Sequence, residues 1–173
     1  MAVYDKGGKE GVIQSVFDFF SSLGEEAALF LVSIIPFIEL RGAIPFGIGV
    51  LKMPWYEAFL ISFLSNCLPV PFMVLLTRPL FDRLKKTRLL SGLVGRIETR
   101  MMKKSEKVTK YKIIGLFLFV AIPVPGTGAY SGSLIAALLG MRLNKSIPSI
   151  VAGVFVAGLL VTLLTMLGVL AFR

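Results

Sequence analysis

The sequence predicts an all-α integral membrane protein, an inverted repeat of two units. Each unit is a Pro/Gly-broken re-entrant helical hairpin plus a transmembrane helix, with amphipathic surface helices beside them. Three observations predict this. Hydrophobic residues make up 55% of the chain and charged ones 17%, and the mean hydropathy of +0.83 exceeds what a water-soluble domain tolerates. Residues 58–77, 113–141 and 146–172 hold no charge, and each can cross a hydrocarbon core, which takes about 20 residues of helix. A fourth apolar stretch, 27–51, is interrupted only by Glu39 and Arg41 and is studded with proline and glycine.

Taken in order, residues 1–24 read as an N-terminal interfacial helix. Ile13, Val16, Phe17 and Phe20 fall on one side and Gln14, Asp18 and Ser21 on the other. No small-residue cleavage site follows, so this segment is read as mature sequence and not as a signal peptide. Repeat 1 covers 25–77, with a hairpin at 27–51 and a transmembrane helix at 57–77. In "PFIELRGAIPFGIG" (36–49) the prolines and glycines are expected to break the helix around Glu39 and Arg41. Residues 78–112 form a basic loop with twelve Lys/Arg against three Asp/Glu. The positive-inside rule places it in the cytoplasm, against anionic headgroups. Leu90, Leu93, Val94, Ile97 and Met101 give it a helical apolar stripe suited to the membrane surface. No nucleic-acid partner is needed to explain this charge. Repeat 2 covers 113–173, with a hairpin at 113–141 and a transmembrane helix at 146–172.

The two units share a layout and a weak identity. "LVSIIPFIELRG" (31–42) and "LFVAIPVPGTGA" (118–129) match at leucine, isoleucine and proline. If the broken segments crossed fully, the repeat would be parallel. If they dip and return, half-helices of about ten residues rise about 15 Å and reach only the midplane. One dip and one crossing then set the units in opposite orientations, and this is the arrangement expected.

Several chemistries are excluded early. There is no histidine and no cluster of carboxylates, so no metal site or cofactor is expected and an enzyme is disfavoured. The lone Cys67 lies in an apolar run and builds no disulfide framework.

At the two hairpins the sequence resembles the small multidrug export family, whose signature is close to "ELRGAIPFGIG" (39–49). That family in turn resembles the DedA superfamily, also called SNARE-associated or VTT-domain proteins. The second stretch carrying the likeness is "AIPVPGTGAYSGS" (121–133), and the resemblance runs from about residue 25 onward. It implies paired re-entrant hairpins in inverted repeats and, for DedA members, proton-dependent translocation of lipids such as undecaprenyl phosphate. Glu39 matches the acidic residue of the first hairpin, and Arg41 belongs to the family's own motif. DedA members also carry arginines in the second hairpin, where this chain has Gly126 to Tyr130 and no base.

Residue types define the candidate site. A charge at the bilayer centre costs about 2.5–3.5 kcal/mol, so Glu39 and Arg41 need partners or a water-filled cavity. They could neutralise one another or cap half-helix ends. Alternatively, Arg41 offers a donor fork for phosphate and Glu39 a carboxylate that takes up a proton as its exposure changes. Gly42 and Pro45 shape the first tip. Pro123, Pro125, Gly126 and Gly128 shape the second, where Thr127 and Tyr130 add hydroxyls. Asn66 is read first as a hydrogen-bonding tie between helices and second as a lining residue.

The expected function is translocation of an anionic lipid phosphate, proton-coupled through Glu39. The alternative is proton-coupled export of small lipophilic cations, and a membrane scaffold stands third. The expected setting is a prokaryotic inner membrane. The bundle is small enough for a homodimer to form.

Overall fold

The computed structural model describes residues 24–85, 92, 95–97, 99–100, 113–124 and 126–171, and the only regular structure among them is helix. The expected interfacial helix at 1–24 (all but Gly24), most of the stripe from Leu90 to Met101, and Pro125 lie outside the described residues.

Helix α1 (Glu25–Ile34) starts with two glutamates, which suit the positive end of the helix dipole. Its end is set by Pro36, because a residue before proline is pushed out of the helical region and Ile35 is extended. A turn at 35–38 leads into α2 (Glu39–Gly49). Here the structure differs from the sequence expectation. "ELRGAIPFGIG" is helical in spite of Pro45 and its three glycines, and the break falls just before Glu39. Packing accounts for this. Leu40 and Ile44 enter the larger of two apolar clusters, while Ala43 enters the smaller one with Leu29, Met53 and Ala58. A central helix buried on both faces tolerates residues that would weaken it in water.

Helices α3 (Trp55–Cys67) and α4 (Val70–Lys85) follow. They join through a single turn at Leu68 and Pro69, and Leu68 N–H still bonds Leu64 while Met73 N–H bonds Pro69. The expected helix at 57–77 is therefore a continuous apolar stretch, Trp55–Thr77, with one proline interruption. Helix α5 spans 113–121 and is followed by a break at 122–128, and α6 is Ala129–Leu138. Helix α7 (Leu143–Ala171) has 29 residues, so it is about 44 Å long at 1.5 Å per residue. Trp55–Thr77 and Leu143–Ala171 are long and apolar enough to cross a membrane.

Side-chain direction supports a lipid setting. Leu60, Leu64, Leu68, Phe72, Leu75 and Leu76 point outward along α3 and α4, as do Leu159, Leu163, Leu164, Leu167 and Leu170 along α7. A monomer in water does not present such long apolar stripes. Inward, α7 carries small residues. Gly153 faces the Phe117 carbonyl and Val120 of α5, and Gly158 faces the Phe59 ring. Phe155 then meets Phe59 and Phe63 edge to face, at 5.5 and 5.6 Å between centroids. Helix α7 thus packs against α2, α3, α4 and α6 and serves as the backstop of the bundle.

Candidate functional site

The breaks at 35–38 and 122–128 meet, and the residues around them satisfy each other's helix ends. Arg41, in the first turn of α2, reaches across to the C-terminal end of α5. Its Nη1 donates to the Val124 carbonyl at 2.7 Å. Its Nη2 donates to Thr127 Oγ1 at 3.1 Å and lies 3.3 and 3.4 Å from the Ile122 and Val120 carbonyls. Helices leave their last carbonyls unpaired, and a break within an apolar segment denies them water. The guanidinium fork supplies several donors to that end at once, and its charge suits the negative end of the dipole.

Tyr130, in the first turn of α6, does the converse. Its hydroxyl donates to the Ile34 carbonyl at the end of α1. Its backbone N–H faces the Glu39 carboxylate, so the N-terminus of α6 points at the acid. Each broken pair therefore caps the other. Glu39 is only 7% exposed, and its nearer oxygen stands 3.9 Å from Arg41 Nη1. Its backbone has φ of +50°, left-handed territory that side-chain-bearing residues seldom occupy. The turn and the anchored carboxylate together hold it there.

Gly128 makes the approach possible, because a Cβ at this position would run into the Glu39 carboxylate. Gly126 has φ of +82° and turns the chain within the second break. Thr127 Oγ1 accepts from Arg41 and donates toward the Ile122 or Val124 carbonyl, at 2.9 and 2.8 Å. The structure thus brings together Glu39, Arg41, Thr127, Gly128 and Tyr130. Gly42 and Pro45 lie further along α2 and Pro123 within the second break, with no polar contact of their own to Glu39 or Arg41 shown. Pro45 lacks the N–H that an ordinary helical residue would donate to the Arg41 carbonyl.

Asn66 stands apart from the charges. It is fully buried on α3, and its amide nitrogen donates to the Ser33 carbonyl at 3.1 Å and the Ser62 carbonyl at 3.0 Å. It ties α3 to the end of α1. Sequence reasoning did not single out Ser33, Ser62 or Ser65, which surround it and are equally buried. The signal was available: Ser62, Ser65 and Asn66 recur at helical spacing within an otherwise apolar run. Among the described residues no group of three or more His, Cys, Asp or Glu could hold a metal ion.

Outward leucine stripes, long apolar helices and two broken segments converging on a buried acid and base define a helical membrane protein. Within that class, the chain belongs to the family described as "putative small multi-drug export protein", whose model matches residues 39–160. The match begins at Glu39, directly after the first break, and spans the second break and most of α7. No curated protein and no solved structure matches.

Proposed function

We propose that this protein is a proton-coupled exporter of small lipophilic cations, with the crossing of the two broken pairs as its transport site. The observation that carries this reading is the engagement of Arg41 by the end of α5. A guanidinium donating to carbonyls and to Thr127 has little capacity left for a phosphate, and the second break brings no other base. The Glu39 carboxylate, whose one basic neighbour is an Arg41 already turned to the end of α5, is the group suited to a cationic ligand. The family description supports the same substrate class. An anionic lipid phosphate, first suggested by Arg41 and the basic segment 78–112, is the less supported cargo.

In this reading the broken pairs are re-entrant and related by inverted repeat, which brings Glu39 near the midplane. Proton and cation compete for Glu39: the protonated acid releases the cargo, and the carboxylate accepts it. Arg41 and Tyr130 keep the helix ends satisfied while the two pairs shift. The basic segment 78–112 lies on the cytoplasmic face of the cell membrane.

The test uses proteoliposomes with an imposed pH gradient, loaded in parallel assays with ethidium or a fluorescent polyprenyl phosphate. Gradient-driven ethidium movement that Glu39→Gln abolishes is the expected result. Polyprenyl phosphate movement lost in Arg41→Ala, with no ethidium movement, would replace this reading with lipid translocation.

A further inference from the structure

Both breaks lie at the surface of the bundle, and the face they make there is unlike the leucine stripes elsewhere. Residues 35–38 are all exposed, and Phe37 is 99% exposed, its ring packed against nothing among the described residues. Ile122 and Val124 of the second break are half exposed. Arg41 joins the two groups. Its bonds to the Val124 and Ile122 carbonyls are on the outside of the protein, and its side chain remains 16% exposed. An ionised group and irregular backbone therefore share one face with Ile35, Phe37, Ile38, Ile122 and Val124.

The depth of this face follows from helix length. The first break is preceded by ten residues of helix and followed by eleven, and the second by nine and ten. Each break is thus about 15 Å from both ends of its segment, half the thickness of a hydrocarbon core. That depth is the same whether the segment turns back or crosses. Lipid does not cover non-helical backbone or a charge at this depth. Water does not suit a face whose most exposed member is a phenylalanine. Protein meets both demands, because it buries the apolar side chains and surrounds the guanidinium at once.

We infer that this face is the contact between two copies of this chain related by a two-fold axis, with Phe37 of each copy seated against the Arg41–Val124 junction of the other. The face holds both halves of such a contact. Arg41 spends its N–H groups in the plane of the guanidinium and leaves the flat sides free, which are the surfaces an aromatic ring takes up. Phe37 has no such partner within its own copy. A two-fold axis pairs the two reciprocally. Phe37 alone brings about 200 Å². With its half-exposed neighbours counted on both copies, the contact buries on the order of 1,000 Å², the size a specific interface needs. The second copy completes the wall of the crossing that a single chain leaves open, whatever that crossing transports.

The experiment reconstitutes dye-labelled full-length protein at increasing dilution in lipid bilayers and counts bleaching steps per spot. Two-step spots that give way to single steps on dilution are expected. Phe37→Ala removes a side chain that supports nothing in its own copy. It should raise the dissociation constant at least about tenfold, as the loss of an interface anchor does. In a Cys67→Ser background, Phe37→Cys and Val124→Cys proteins reconstituted together should form a mixed disulfide. Leu164→Cys, on the outward stripe of α7, should not link to its own copy. Single steps at every density would overturn the proposal and leave the face to lipid or a lipophilic cargo. Dimers that withstand Phe37→Ala and form no mixed disulfide would overturn it as well, by placing the interface elsewhere. No transport is measured, so either result leaves the cation-export reading to its own test.

Discussion

At the scale of single residues, the crossing depends on close approach. Gly128 is glycine because the Glu39 carboxylate occupies the space of its Cβ. Gly128→Ala should therefore displace the carboxylate from the Tyr130 N–H and destabilise the protein by about 1–3 kcal/mol, the usual range for overpacking. In a Glu39→Ala background the same substitution should cost clearly less, because the clashing group is gone. Thermal melts of the two single variants and the double variant check this coupling. Additive effects would mean that the glycine serves some other contact.

At the scale of elements, α7 separates glycines that pack from glycines that do not. A Cβ on Gly153 would stand 2.9 Å from the Phe117 carbonyl oxygen and 2.8 Å from Val120, while Gly168 has nothing within 4 Å. Gly153→Ala should destabilise by about 1–3 kcal/mol through separation of α5 and α7. Gly168→Ala should be neutral or stabilise by up to about 1 kcal/mol, since alanine is the better helix former. Comparing the melting of the two variants in one detergent decides it. Element boundaries show where sequence reading stops. The long helices were legible because an apolar run has length and composition that no neighbour needs to supply. The helical state of 39–49 was not, because proline and glycine signal a break and only burial on two faces overrides them.

At the scale of the whole molecule, the proposed re-entrant arrangement fixes which side each connection faces. If the broken pairs are re-entrant, the connection between α6 and α7 returns to the side of segment 78–112. Arg142 in that connection and Lys145 in the first turn of α7, both exposed, then sit on the basic face, as the positive-inside rule favours. A Cys67→Ser protein with Arg142→Cys should react with an impermeant maleimide only from the cytoplasmic side. Labelling from the opposite side would establish full crossings and a parallel repeat.

The sequence by itself determined the membrane class, the two long helices, the family and the presence of two charges in the first broken segment, because hydropathy, charge and motif are local properties. It also showed that Glu39 and Arg41 needed partners, since neither is stable alone in hydrocarbon. Which partners they found was decided only in three dimensions. Arg41 is joined to carbonyls some eighty positions away, and Tyr130 to Ile34 across 96 positions. Those acceptors are backbone groups, which every residue carries. No side-chain pattern could mark them, and it took the meeting of two broken helices to expose them.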